Sequence, residues 1–300
     1  MKILVTGVNG LLGQHLIRLL DQEKEKIIAL GKGPCRIPNC QGSNLEYFDL
    51  DIGDFEKLSD VFKSEKPDSI IHAAAMTQVD ECEMKQAECF RVNVTATRSL
   101  IRLAEQWSNF FLYVSTDFVF DGNRGFYSEE DSPNPVNWYG HTKLEAEKEV
   151  MHMIIPWAIV RTCLVFGNPT GSSRNNLVTW VRSKLEKKER IKVVDDQLRT
   201  ATHVEDLASG ILQILRGRRT GIYHISGKDK MTPYEMALMT AEYCGLDKTM
   251  IERVDKSTFN QAAPRPKKTG FNIEKARREL GFEPMSFDKC LTLMYPRENK

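Results

Sequence analysis

Short apolar runs alternate with longer amphipathic segments through roughly the first 165 residues. The runs predict strands, and the segments predict helices because their apolar residues recur every three to four positions. In residues 11–21, for example, Leu12, Leu16, Leu19 and Leu20 share one helical face. The predicted strands are 2–6, 26–30, 45–50, 68–75, 110–115 and 157–162, and the predicted helices are 11–21, 55–66, 83–107 and 139–152.

Strands separated by helical crossovers indicate βαβ units, and these units build a parallel sheet with helices on both faces. The expected fold class is therefore α/β, a doubly wound parallel sheet. After residue 165 the pattern loosens, which indicates a smaller mixed α/β lobe. We predict a first domain over 1–165, to which elements from 191–226 also contribute, and a smaller lobe over 166–300.

Composition excludes several classes of partner. The 300 residues are 41% hydrophobic, and 42 Lys and Arg nearly balance 41 Asp and Glu for a formal net charge of +1. This balance gives no electrostatic reason to expect nucleic acid or an anionic membrane as partner. No apolar run approaches the ~20 residues that cross a bilayer, and the N-terminal segment lacks the features of a signal peptide.

The seven cysteines are scattered without paired C-x-x-C spacing. We therefore expect reduced, mostly buried thiols in a cytoplasmic protein. The six histidines form no ligand pattern, so no metal site is predicted.

Three glycines, Gly7, Gly10 and Gly13, follow the first predicted strand and open the first predicted helix. A tight turn would explain them. In this strand–helix context, however, they also let the backbone approach a pyrophosphate, which the unpaired N–H groups of the helix N-terminus would bind. The context favours a dinucleotide site.

The spacing G-x-x-G-x-x-G resembles that of the extended short-chain dehydrogenase/reductase family. This resemblance implies an NAD(P)-binding Rossmann domain over residues 1–165 and a substrate-binding lobe beyond it. It also implies a set of cofactor-binding residues: Gly7, Asn9, Gly10, Leu11, Leu12, Gly13, Asp51, Ile52, Ala73, Ala74, Ala75, Asn93, Tyr139 and Lys143. Lys32 and Arg36 stand after the second strand, where no carboxylate would bind a ribose 2′-hydroxyl. Two cations there favour NADP(H), with NADH still open.

Tyr139 and Lys143 are four residues apart and so project from one helical face. Reduction of a ketone needs a proton donor at the oxygen, and a nearby ammonium would lower the pKa of a tyrosine toward neutrality. Ser115 and Thr116, at the end of a predicted strand, can donate a hydrogen bond to the same oxygen. The order of glycine loop, strand-end Ser/Thr and Y-x-x-x-K is the catalytic layout of the family that the chain resembles.

Within this family the chain resembles the dTDP-4-dehydrorhamnose reductase branch over nearly its full length. The matching segments include "VSTDFVFDG", "EEDSPNPVNWYGHTKLEAE" and "GIYHISG". The resemblance implies that the nucleotide sugar contacts Thr116, Asp117, Tyr139, Asn176 and Arg265. For Arg265 the expected contact is a diphosphate, and a loop cation without a ligand is equally open. Phe118 and Leu164 depart from the branch's pattern close to the expected sugar pocket.

The resemblance implies NADPH-dependent reduction of the 4-keto group of a nucleotide sugar, foremost dTDP-4-dehydrorhamnose to dTDP-L-rhamnose. Two alternatives stay open at this point: an NAD-dependent sugar-nucleotide epimerase and a non-catalytic, reductase-like regulatory subunit. The expected partner is a small-molecule nucleotide sugar, with a homodimer as an option.

Overall fold

The computed structural model describes residues 1–38, 40, 44–169, 171 and 175–296. Its strands are β1 Lys2–Thr6, β2 Lys26–Gly31, β3 Leu45–Asp49, β4 Ser69–His72, β5 Phe111–Thr116, β6 Trp157–Thr162, β7 Val165–Phe166, β8 Ile191–Val194, β9 Thr202–His203, β10 Gly221–His224 and β11 Ile251–Val254. Its α-helices are α1 Leu11–Gln22, α2 Phe55–Glu65, α3 Val79–Met84, α4 Gln86–Phe90, α5 Ala96–Trp107, α6 Trp138–Met151, α7 Leu177–Glu186, α8 Val204–Arg216, α9 Pro233–Tyr243, α10 Glu274–Leu280 and α11 Phe287–Met294.

Seven strands form one parallel sheet in the order β10-β6-β5-β4-β1-β2-β3. The predicted Rossmann-type α/β fold is thereby confirmed. The strand order reverses between β1 and β4, and a crevice outside the carboxyl ends of the strands is expected at such a point. The glycine loop follows β1, and residues 73–75 follow β4, so both border this crevice.

Successive side chains of the central strands enter two separate cores. Ile3 and Val5 pack into one core with α1 and α8, whereas Leu4 packs into the other core with α2, α5 and α6. All three side chains are fully buried. Near-continuous apolar strands are required because helices cover both faces of a parallel sheet.

The remaining elements form a smaller lobe. Strands β8 and β11 pair as a two-stranded parallel sheet, and β7 pairs with β9. Helices α7 and α9 pack on the β8–β11 pair, and α11 packs on α9. Of the segment 191–226, β10 joins the large sheet and α8 lies against α1, whereas β8 stays in the small lobe. The division of the chain at residue 165 stays a prediction.

The helix predicted over 83–107 is divided. Helix α3 ends at Met84, because Lys85 (φ −118°, ψ 56°) leaves the helical conformation, and α4 is followed by a π-helical turn, Arg91–Thr95, that continues into α5. Such π-turns are frequent at functional sites. No helix in the described part of the chain has the length and apolar character that a bilayer crossing requires.

The expectation that the cysteines are thiols is wrong for one pair. Cys35 and Cys40 form a disulfide, because the loop after β2 brings their Cα atoms within 6.6 Å. Four of the other cysteines, Cys82, Cys89, Cys163 and Cys290, are buried thiols. The cytoplasmic location to which this expectation belonged stays a prediction.

Candidate active site

The glycine loop makes a tight turn between β1 and α1. Gly7 has a φ of +74°, and a Cβ there would lie 2.8 Å from the backbone nitrogen of Ala74. A Cβ on Gly13 would overlap the Gly7 carbonyl oxygen and the Val8 Cα. Gly10 is the N-cap of α1, which has no side-chain cap and no acidic residue in its first turn. The N-terminal N–H groups of α1 can therefore serve an anionic ligand.

A buried hydrogen-bond chain holds the loop after β4 against this turn. The Thr6 hydroxyl accepts hydrogen bonds from the backbone N–H groups of Ala73 (3.1 Å) and Ala74 (3.0 Å). It also bonds His72 Nδ1 at 2.8 Å, and His72 Nε2 lies 2.9 Å from the Thr97 hydroxyl. Because the Thr97 hydroxyl donates to a backbone carbonyl, we assign the His72 proton to Nε2. Burial lowers the pKa of His72 to about 3, so the ring is neutral.

The loop after β2 carries the two cations predicted to contact a 2′-phosphate. Asn9 Nδ2 donates to the Lys32 and Pro34 carbonyls, and Asn9 Oδ1 accepts from the Arg36 N–H. Lys32 is 78% exposed and pairs with Asp51 at 3.0 Å. Burial alone would raise the pKa of Asp51, but hydrogen bonds from the Gly53 N–H and Lys32 lower it. Asn9 thus holds the loop after β2 in place, and the Lys32 side chain is accessible to a ligand.

Asn93, expected to contact the cofactor, bonds other parts of the protein in this structure. Its side chain is almost fully buried in the π-helical turn. Oδ1 accepts from the Met76 N–H (2.8 Å), and Nδ2 donates to the Met76 carbonyl (3.1 Å) and the Thr142 hydroxyl (3.0 Å). This arrangement favours a role in joining the loop after β4 to helix α6.

Tyr139 and Lys143 lie on the inner face of α6, and both are buried. The N-cap Asn137, whose side chain accepts from the Gly140 N–H at 2.9 Å, fixes the first turn. Lys143 Nζ donates to the Val114 carbonyl at 2.7 Å and lies 4.1 Å from the Tyr113 ring centroid. Burial lowers the pKa of Lys143 to about 7.

The expected lowering of the Tyr139 pKa by Lys143 does not occur in this structure. Burial instead raises the pKa of Tyr139 well above its usual range, partly offset by a side-chain hydrogen bond with Thr116. In this structure Lys143 Nζ donates to the Val114 carbonyl. Catalytic hydrogen bonds often tighten only in the substrate complex.

The three residues at and just after the end of β5, Ser115, Thr116 and Asp117, are all buried. Ser115 Oγ is buried and has no hydrogen-bond partner among the described residues. Thr116 is 7% exposed, and its hydroxyl donates to Asp117 Oδ1 at 3.2 Å. Asp117, expected to contact the nucleotide sugar, is buried with its other oxygen bonded by Cys163 Sγ (3.3 Å) and the Thr269 hydroxyl. This favours a positioning role for Asp117.

The two further candidates for substrate contact both have protein partners. Arg265 forms a bidentate ion pair with Asp80, with N···O distances of 2.9 and 2.7 Å. Asn176 caps α7: it accepts from the Thr179 N–H and donates to the Gly167 carbonyl at 2.7 Å. Leu164 lies beyond Thr162, the β6 residue that pairs with Thr116, and it has a φ of +38° and is 37% exposed.

A family model described as the RmlD substrate binding domain matches residues 1–299. The chain belongs to this family.

The proteins to which the chain is similar include both enzymes and a subunit of an enzyme. The chain is 30% identical to a probable low-salt glycan biosynthesis reductase, Agl14, of Haloferax volcanii, over 94% of this chain and 93% of that protein. It is 32% identical to methionine adenosyltransferase 2 subunit beta of Xenopus tropicalis, over 88% of this chain and 78% of that protein. The crystal structure of dTDP-4-dehydrorhamnose reductase from Bacillus anthracis in complex with NADP has 29% identity and a TM-score of 0.85, covering 98% and 99% of the two chains.

The motifs of the RmlD family do not predict every residue at the site. The segment 262–270 makes hydrogen bonds with Asp80, Asn137 and Asp117. Arg199 Nε lies 3.8 Å from Asp117 Oδ2. These contacts join residues more than 80 positions apart. No spacing in the sequence signals them.

One group of metal-ligand types occurs among the described residues of this RmlD-family chain. Atoms of His203, Asp206 and Cys290 lie within 4.8 Å of one another. The Asp206 carboxylate accepts the Met285 N–H at 3.0 Å, which gives it a structural role at the start of α8. The expectation that the protein binds no metal stays a prediction.

Proposed function

We propose that the chain catalyses NADPH-dependent reduction of the 4-keto group of a dTDP-linked sugar, foremost dTDP-4-dehydrorhamnose. One observation carries the proposal. Tyr139 is buried on helix α6, whose Lys143 bonds the Val114 carbonyl of β5, and Thr116 ends that strand at the same sheet edge as the glycine loop. A proton donor and a carbonyl-orienting hydroxyl therefore border the crevice in which a dinucleotide binds.

Each residue has a defined role in this proposal. The N-terminus of α1 and the glycine turn bind the diphosphate of the cofactor, and Lys32 binds the 2′-phosphate. The bound nicotinamide supplies the hydride. Thr116 donates a hydrogen bond to the substrate carbonyl, and Tyr139 delivers the proton to its oxygen. Lys143 moves from the Val114 carbonyl toward the ribose and the Tyr139 hydroxyl when the site fills.

The proposed activity is tested by NADPH absorbance with dTDP-4-dehydro-6-deoxy-L-mannose and a panel of other 4-keto nucleotide sugars. We expect the oxidation of NADPH to depend on the nucleotide sugar. Tyr139→Phe should slow turnover about 10²–10⁴-fold, because it removes the general acid, while NADPH binding is retained. Turnover by Tyr139→Phe at the wild-type rate would contradict the assignment.

The similarity to methionine adenosyltransferase 2 subunit beta supports a second candidate, a regulatory subunit that binds the cofactor without turnover. This candidate predicts tight NADPH binding, no oxidation of NADPH with any sugar of the panel, and a change in the kinetics of a purified methionine adenosyltransferase catalytic subunit. An epimerase would instead convert its substrate without net consumption of the cofactor.

Light scattering on the purified chain tests the predicted homodimer.

A further inference from the structure

Arg199 has an unusual set of partners for a buried cation. It is 3% exposed, yet its guanidinium donates four hydrogen bonds to neutral oxygens. Two of them go to backbone carbonyls of the segment 262–270, those of Pro266 (2.7 Å) and Lys267 (3.0 Å). The others go to the Leu198 carbonyl and the Gln197 side chain. The side-chain charge thus holds a loop from the C-terminal end of the chain.

The same guanidinium faces the catalytic strand end. Arg199 Nε lies 3.8 Å from Asp117 Oδ2, and its Cζ lies 5.9 Å from the Phe118 ring centroid. Asp117 in turn accepts from the hydroxyls of Thr116 and Thr269. Arg199 and Asp117 compensate each other's charge, as buried ions must. The result is a continuous polar chain from the loop to Thr116.

The segment 262–270 touches the site at two further points. The Pro264 carbonyl accepts from Asn137 Nδ2 at 2.8 Å, and Asn137 caps the helix that carries Tyr139. Arg265 pairs with Asp80 at the start of α3. Displacement of this loop would therefore move both a candidate nucleotide contact and the N-cap of α6.

We propose that Arg199 is a positioning residue that joins the segment 262–270 to Asp117 and so aligns the nucleotide-sugar side of the site with Thr116 and Tyr139. The effect of Arg199 on catalysis rests on the proposed function. Its effect on binding is separate. Loss of Arg199 weakens the binding of a nucleoside diphosphate and leaves the binding of the cofactor unchanged, because the glycine turn lies between β1 and α1.

The test compares Arg199→Met, Arg199→Lys and the exposed-site control Arg278→Met in the full chain. Calorimetry measures the Kd of dTDP and of NADPH for each, and absorbance measures kcat and KM for the dTDP-sugar. For Arg199→Met we expect dTDP to bind about tenfold to a hundredfold more weakly and kcat/KM to fall in a similar range, since small misplacements at a site have effects of this size. The Kd of NADPH should stay within about twofold of wild type. Arg199→Lys should recover part of the loss, because one ammonium replaces some of the donors.

Thr269→Val provides an independent variant if Arg199→Met does not fold. It removes the hydroxyl that bonds Asp117 and keeps the volume of the side chain, so it should also weaken dTDP binding without weakening NADPH binding. Wild-type binding of dTDP by a folded Arg199→Met protein, with only a lower Tm, would overturn the proposal. A wild-type chain that binds dTDP but reduces no nucleotide sugar would overturn the proposed function instead, and the binding comparison would still test Arg199.

Discussion

At the scale of the residue, the buried Lys143 shows how the site's chemistry is coupled to stability. Its ammonium is removed from water, and burial lowers its pKa to about 7. In the unfolded chain a lysine keeps its proton up to a pH of about 10.4. Between these values the unfolded state binds more protons, so the free energy of unfolding rises with pH across this window. Below it the full desolvation cost of the charged side chain is present.

Replacement of Lys143 should remove this pH dependence. We expect the free energy of unfolding of wild type to rise relative to that of Lys143→Met between about pH 7 and pH 10, by up to a few kcal/mol. Urea denaturation at a series of pH values measures the difference. Lys148→Met is the matched control, because Lys148 lies on the same helix but is 51% exposed. A difference between wild type and Lys143→Met that is constant with pH would contradict the low pKa.

The choice of cofactor is a second property of single residues. Lys32 is exposed beside Asp51 at the end of β2, where a 2′-phosphate is expected. Lys32→Ala should raise the KM for NADPH about tenfold, the effect of losing one charged hydrogen bond of ~1.5 kcal/mol, and leave the KM for NADH unchanged. Lys57→Ala is the control, since Lys57 is 72% exposed and pairs with Asp54. Equal changes for both cofactors would argue against a 2′-phosphate contact.

At the scale of the element, apolar periodicity predicted most of the large sheet and its helices. The short strands β7 and β9 were missed because two residues carry too little pattern, and β11 was missed as well. The break at Lys85 was missed for another reason: neither Gly nor Pro marks it. Tertiary partners are visible at the π-helical turn that follows, where Asn93 bonds both the loop after β4 and helix α6. Local sequence does not contain that information.

The junction between β1 and α1 gives a prediction at this scale. A Cβ on Gly13 would meet backbone atoms of Gly7 and Val8, which cannot move without opening the turn, whereas a Cβ on Gly10 would lie 3.2 Å from one oxygen. Gly13→Ala should therefore lower the free energy of unfolding by about 1–3 kcal/mol and weaken NADPH binding. Gly10→Ala, the control, should change stability by no more than about 1 kcal/mol. Denaturation and calorimetry measure both, and equal losses of stability would contradict the packing argument.

At the scale of the whole molecule, the order of βαβ units predicted the fold, and the glycine loop and Y-x-x-x-K motif predicted where the candidate site lies. The contribution of the segment 262–270 could not be predicted in the same way. Arg265 and Asp80 are 185 positions apart, so only the tertiary structure brings them together. The ion pair leaves the role of Arg265 as a diphosphate contact a prediction.

Two variants of this pair distinguish a ligand contact from a structural one. If Arg265 binds the diphosphate, Arg265→Met should weaken dTDP binding about tenfold to a hundredfold, as expected for the loss of charged hydrogen bonds. Asp80→Asn should then leave dTDP binding unchanged or tighter, because the guanidinium is released from its carboxylate partner. If the pair only holds the loop to α3, both variants should weaken dTDP binding alike. We expect Arg265→Met alone to weaken dTDP binding. The Arg265–Asp80 ion pair lies in the segment 262–270, which also contacts Asn137, the N-cap of the helix that carries Tyr139.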